Sequence, residues 1–400
     1  MRTRTFGAGT LLLAAVLVYA LTLRGPVVAL APVVDDVARG LGVGPESVGL
    51  LTGVPVLCFA LAAPLASLLL AQAGIERAVG ISLVGVLAGT VLRSVGGFET
   101  AVAATAIIGV SITVGNVAVP VLIGRDFPRT SGMATGLYTA ALNLGSVLTT
   151  LLTAPLASVV GWRWALATWG SVAVVALVLW RRAVAGRPSE PVRLVGAARP
   201  GDGHDERPVW RRPVLWCLVG MFSGQAFSYY AVTTWLPTIL ADLGGMTVAG
   251  AGGAASLFQL AGMVGGVGVP LLVARRLSLR AVFAGLSVLW LSLPAGLLVA
   301  PELWPLWALL AGVAQGGNFT VVFTLVVHHS RDQVDSRRMS AVVQGVGYSA
   351  AAAGPSLLGA VHTATDGWTV PLVVVLGALT VMTVSGFAAA SLPLRRRRGA

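Results

Sequence analysis

The sequence predicts an all-α membrane protein, with twelve transmembrane helices in two pseudo-symmetric six-helix halves. Three observations carry that reading. The first is composition: of 400 residues, 56% are apolar and 10% charged, with a mean hydropathy of +0.86, whereas a soluble domain carries about 25% charged residues. The second is segmentation. Apolar runs fall near 8–34, 46–71, 78–97, 100–123, 131–158, 162–180, 214–241, 249–273, 281–300, 305–327, 339–362 and 369–390. Twelve spans of about 20 residues use roughly 240 positions, which leaves enough for ends and loops. Nothing alternates as a barrel strand would, and backbone in hydrocarbon must satisfy its own hydrogen bonds, so the spans are helices. The third is charge. The chain has 27 basic residues, all of them arginine, against 15 acidic ones, and the arginines sit between the apolar runs.

Each element follows from where those arginines lie. With the N-terminus placed in the cytoplasm, the N-terminal arm, the breaks at 71–77, 124–130, 181–213, 275–280 and 328–338, and the tail at 395–398 hold all but four of the 27. Arg39, Arg93 and Arg163 fall on the outer side and Arg24 lies inside a span. Positive charge is retained on the cytoplasmic face, so both termini are expected there, in a multi-pass protein of the inner (plasma) membrane. A basic balance also suits nucleic acid, but flanking arginines point to the lipid bilayer as partner and to no nucleic acid. The first apolar run is too long for a signal peptide and lacks a cleavage-like tail. Cys58 and Cys217 both fall in apolar runs, which excludes a disulfide framework and a metal quartet.

The stretch 181–213 is rich in Arg, Pro and Gly and reads as a cytoplasmic linker. It separates an N-terminal half at 1–180 from a C-terminal half at 214–390, with a basic tail at 391–400. The halves look duplicated. GVSITVGNVAVPVLIGRD (109–126) and GVAQGGNFTVVFTLVVHHSRD (312–332) each carry Gly-Asn within a span and Arg-Asp at its end. Asn116 thus pairs with Asn318, and Arg125-Asp126 with Arg331-Asp332. LAPVV (30–34) echoes WLPTI (235–239), which aligns Pro32 with Pro237 and sets Arg24 opposite Tyr229.

Arg24 is the strongest chemical signal. It lies eleven residues before Asp35, about 16 Å along a helix, near the bilayer middle. A cation there costs at least about 2.5–3.5 kcal/mol on insertion scales, so it must face a polar cavity. Gly25-Pro26 beside it removes a backbone donor and loosens the helix. No Asp or Glu is expected deep in a span, and an anionic ligand can supply the missing counter-charge; the alternative is a structural arginine satisfied by Asn116, water and carbonyls. Asn116 and Asn318 both donate and accept, and read either as ligand contacts or as interhelical glue. Tyr229 and Tyr230, near mid-depth, offer neutral donors and rings that stack on a planar azole, or they pack the core. Tyr138, Gln315 and Gln344 are further in-span candidates, with Asn143, Gln259 and Tyr348 beside them.

Arg125, Asp126, Arg331 and Asp332 read as gating ion pairs that break when one mouth opens, or as solvated anchors of little energetic worth. His328 and His329 at the same level are weak groups for handling a coupling proton. Trp162, Trp164 and Trp169 read as an interfacial belt. The histidines have no metal-ligand spacing, no nucleophile or paired-carboxylate motif appears in any span, and the absence of lysine excludes a phosphate-cradling Walker motif. No catalysis, no cofactor and no ATP-driven step on this chain are therefore expected.

The residues that carry these signals resemble the cyanate/nitroimidazole (CynX/NimT-type) transporter family of the major facilitator superfamily. The resemblance rests on TLRGPVVALAPVVDDV (22–37), SVGLLTGVPVLCFALAAPLA (47–66), GVSITVGNVAVPVLIGRDFP (109–128), GMATGLYTAALNLG (132–145) and GWRWALATW (161–169), and more loosely on NFTVVFTLVVHHSRD (318–332). It implies two rocking halves with a midplane substrate site between them, a monomer, and secondary transport of a small anion (cyanate- or nitrite-like) or a small polar heteroaromatic. Proton-linked efflux of nitroimidazole-like or other drugs is the alternative within transport; a non-transporting membrane sensor is the alternative of another class. The superfamily's Gly-x4-Asp-Arg-x-Gly loop is degraded, with Ala66 and Ala71 at its first Gly and its Asp and only Gly74 in place. The antiporter signature of span five is partial: Gly136 and Gly145 keep its spacing without the following Gly-Pro, which occurs as Gly354-Pro355 in span eleven.

Overall fold

The computed structural model describes residues 3–187, 209–330 and 333–392, and these fold into helices joined by short turns. Span one is α1 (Thr3–Thr22), a short α2 (Gly25–Val28), a 3-10 turn (Ala31–Val33) and α3 (Val34–Leu41). Span two is α4 (Pro45–Leu61) with α5 (Ala63–Ala73), bent by 58° where Pro64 opens the second helix. Then follow α6 (Ile75–Arg93), α7 (Phe98–Asp126), α8 (Ser131–Thr168) and α9 (Gly170–Ala183). After the linker come α10 (Pro213–Gly244), α11 (Val248–Ala274), α12 (Leu279–Val299), α13 (Trp304–His329), α14 (Gln333–Ala352), α15 (Gly354–Thr365) and α16 (Thr369–Ser391).

Among the described residues eight helical stretches are long and apolar enough to cross a bilayer, or nine with the bent pair counted as one span. One of them, Gly136–Ala183, has 48 residues, about 72 Å of helix and far more than one crossing needs. Gly161, at φ 79° and ψ 155°, breaks it in two, a conformation open to glycine and costly for a side chain. Helix α10 is long enough but diluted by Ser223, Gln225, Ser228 and two tyrosines; α14 with α15 is diluted likewise. Counted together these make the twelve spans of the expected fold. Positive φ recurs at matching turns: Gly42 after span one and Gly245 after span seven, Gly74 after span two and Arg276 after span eight.

Contacts divide the chain into two compact units. The first comprises the described residues of Met1–Leu194 together with Thr233–Ser256; the second comprises those of Val195–Val232 and Leu257–Ala400. The first unit thus takes in the second part of α10 and the first part of α11. Within it α1 packs on α8 and α9, α4 on α7, and α6 on α7 and α9. Its core runs through Leu12, Val16, Tyr19, Leu83, Ile112 and Trp180. Tyr19 ties three spans, its hydroxyl 2.5 Å from Ser82 Oγ, which in turn donates to the Ser111 carbonyl at 2.6 Å. In the second unit α12 packs on α13 and α16.

Candidate functional site

In the first unit the chemistry gathers where span one breaks. Pro26 has no N–H to give, so the helix of α1 ends at Thr22 and restarts at Gly25. Arg24 occupies the junction at φ −122°, ψ −33°. Its carbonyl accepts from the amides of Val27 and Val28 at 3.1 and 3.2 Å, so its backbone belongs to the restarted helix. The guanidinium, half-buried, donates from Nη1 to Asn143 Oδ1 on α8 at 3.0 Å. That bond needs α1 and α8 to lie close. Gly145 permits it, because a methyl there would collide with the Leu21 carbonyl; Gly25 faces Thr149 Cγ2 at 3.0 Å from its would-be Cβ.

Arg93, read from the sequence as an outer-side charge, proves to be fully buried at the end of α6. It donates from Nη1 to the Pro26 carbonyl at 2.6 Å, and among the described residues its Nε and Nη2 have no partner. Trp169 likewise differs from a belt residue. It donates to Thr153 Oγ1 at 2.9 Å and lines an apolar cleft with Leu21, Thr22, Gly25, Pro26 and Gly145. Trp164 is exposed, as a belt requires.

Asn116 is exposed on α7 in a stripe with Pro120 and Gly124. Ile107, also exposed, lies about 180° round the helix from Asn116. Tyr138 is buried in α8. Asn318 does not share the environment of its sequence partner Asn116: it is 0% exposed inside the second unit, and both its amide atoms lack a partner among the described residues. The equivalence read from Gly-Asn is one of sequence position; α13 turns its asparagine into the helix bundle, whereas α7 turns its own out.

Tyr229 and Tyr230 belong to an aromatic array confined to the second unit. Trp290 meets Phe258 at 5.4 Å between ring centroids, Phe258 stacks on Tyr229 at 6.3 Å, and Tyr229 meets Tyr230 edge-on at 5.0 Å. Tyr230 then meets Tyr348 at 6.4 Å, and Tyr348 meets Phe222 at 5.1 Å. The three tyrosines are partly exposed, and Tyr229 Oη donates to Gln259 Oε1 at 3.2 Å. Gln344 is half-buried one turn before Tyr348. Gln315 is buried, and its carbonyl accepts from Gln225 Nε2 at 3.0 Å while Trp290 Nε1 donates to Gln225 Oε1 at 2.8 Å. Sequence reasoning missed Phe222, Phe258 and Trp290, since an aromatic inside an apolar run gives no signal of its own.

At the arginine-rich ends Arg125 and Asp126 form more than a local pair. Arg125 Nη2 lies 2.8 Å from Asp126 Oδ2 and 2.6 Å from Glu76 Oε1, and Arg187 Nη1 lies 3.2 Å from Asp126 Oδ1. Glu76 at the start of α6 supplies the carboxylate that the degraded loop lacks at Ala71. Arg331 and Asp332 lie outside the described residues. Three residues further along the sequence, Asp335 forms a bidentate pair with Arg212 at 2.9 Å, a connection from the start of α10 to the start of α14. His328 is exposed, while His329 is buried with Nε2 3.1 Å from the Ala389 carbonyl.

The family model of the Major Facilitator Superfamily matches residues 10–355. The chain belongs to that superfamily. It is 31% identical over 379 residues to the 2-nitroimidazole transporter of Escherichia coli, covering 94% of this chain and 95% of that one. To the cyanate transport protein CynX of the same organism it is 26% identical over 356 residues, covering 86% and 88%. Its fold matches an inward open structure of the E. coli xylose transporter XylE with a TM-score of 0.74 at 13% identity, over 96% and 97% of the two chains. The chain is therefore a multi-pass membrane transporter of the major facilitator fold, and its substrate is a small molecule.

Proposed function

We propose that this transporter moves a small planar solute with a negative or strongly polarised end, a cyanate- or nitrite-like anion or a nitro-substituted azole, by alternating access. The observation that carries this reading is Arg24: a half-buried cation at a broken helix whose guanidinium donates to the amide oxygen of Asn143. A guanidinium so placed offers parallel donors to paired oxygens. Asn116, exposed at mid-span, and Tyr138 near Asn143 are the further contacts we assign in 1–180. Tyr229 and Tyr230, with Gln315, Gln344 and Asn318, are those we assign in 214–390. The relatives' names make cyanate and 2-nitroimidazole the first solutes to try.

The aromatic array favours a second reading, efflux of a neutral heteroaromatic recognised through its flat face, with Arg24 structural. We further propose cytoplasmic termini in the inner membrane, a monomer, a proton as coupling ion, and gating by Arg125–Asp126 and Arg331–Asp332. A thermal-shift screen of the purified chain tests the substrate reading, with nitrite, cyanate, formate and 2-nitroimidazole as ligands, because stabilisation reports binding to the folded state. Stabilisation lost in Arg24→Gln supports the anion reading. Equal stabilisation of both proteins, by the neutral azole alone, moves the second reading into its place.

A further inference from the structure

We propose that Arg93 is a positioning residue for solute recognition, because it holds in place the short helix that carries Arg24. This rests on the reading of Arg24 above. Two turns bound α2, at Leu23-Arg24 and at Ala29-Leu30, so those four residues are anchored by few helical bonds of their own. Two links fix them from outside. Arg24 reaches α8 through Asn143, and Arg93 reaches the Pro26 carbonyl from α6 at 2.6 Å. A break in a helix frees carbonyls that need partners, and a charged donor makes a short, strong bond to one.

Packing alone does not account for a guanidinium at this place. Arg93 is 1% exposed, and two of its donor atoms, Nε and Nη2, lie buried without a partner among the described residues. A cation out of water needs compensation that a single carbonyl supplies only in part, whereas an aliphatic side chain would fill the same space without that cost. The idle donors share the edge of the guanidinium that grips two oxygens side by side, so no second protein group competes for the bond to Pro26. The charge of Arg93 also adds to that of Arg24 at the same break, which favours an anion over a neutral ring.

The test measures binding of nitrite and 2-nitroimidazole to the full-length purified protein, together with hydrogen exchange at the amides of Val27, Val28 and Ala29. Arg93→Met removes the donor; it is expected to fold, to weaken nitrite binding about tenfold or more and more than 2-nitroimidazole binding, and to speed exchange at the three amides. Arg93→Lys, which keeps a charged donor, restores most of both. Arg93→Gln, polar but neutral and too short to reach the Pro26 carbonyl as the guanidinium does, is the second variant should Arg93→Met fail to fold, and nitrite binding falls there too. A folded Arg93→Met with wild-type binding and exchange overturns the proposal, as does Arg93→Gln binding like wild type when Arg93→Met does not fold. Arg24→Gln runs in parallel. If it binds both solutes as wild type does, or if wild type binds neither, the recognition reading fails and takes Arg93 with it; if Arg24→Gln alone loses binding, only the role of Arg93 falls.

Discussion

Two asparagines inside spans, Asn143 and Asn318, answer to different physics. Asn143 Oδ1 accepts the Arg24 bond, so Asn143→Ala leaves part of a buried cation unmatched and is expected to cost about 1–3 kcal/mol, read as a lower melting temperature together with weaker solute binding. Asn318 has no side-chain partner among the described residues to lose. Asn318→Leu, of similar volume and without the orphaned amide, is expected to hold stability within about 1 kcal/mol or to raise it; a large fall in melting temperature would show that the amide is satisfied by something the described residues do not include. Arg24 was legible in the sequence because a cation in an apolar run has few harmless explanations. Its partner was not, since that choice depends on which spans touch. Arg93 sits at the end of an apolar run, where flanking charge is commonplace, and only the packing of α6 beside the break of span one buries it.

At the level of helices, close contact is set by glycines that the sequence does not rank. Gly136 and Gly145 share the spacing of one signature, yet a side chain at Gly136 meets open space while one at Gly145 meets the Leu21 backbone. Gly145→Ala is therefore expected to destabilise the fold by about 1–3 kcal/mol and to lengthen the Arg24–Asn143 bond, with Gly136→Ala neutral; thermal unfolding of the pair checks this. In the second unit Gly265 lies against the Val313 carbonyl and Gly316 against that of Gly262, the small-residue packing by which membrane helices approach. The break of span one was readable because Gly25-Pro26 withholds a backbone donor, whereas span two was read as one unbroken run at 46–71 and its bend at Pro64 came only from the structure. The array of Phe222, Tyr229, Tyr230, Phe258, Trp290 and Tyr348 was half visible: its tyrosines stand out by their hydroxyls, its other rings only once four helices bring them together.

For the molecule as a whole, fold class lay open in the sequence because the bilayer leaves so few solutions: low charge, twelve apolar runs and one arginine-rich linker. The ion pairs at the arginine-rich ends were legible as charges but not as a network, since Glu76 and Arg187 reach Arg125-Asp126 only through tertiary structure. If these pairs gate transport, Asp126→Asn is expected to change the flux rate severalfold while equilibrium binding stays near wild type; altered affinity with an unchanged rate would contradict gating. The central claim, that Arg24 recognises the solute, meets its most direct test in proteoliposomes. Exchange of labelled nitrite and of 2-nitroimidazole would be followed for wild type and Arg24→Gln reconstituted at equal density. The account predicts saturable exchange by wild type and its loss in an Arg24→Gln that remains folded. Wild-type exchange retained in full by Arg24→Gln would contradict it.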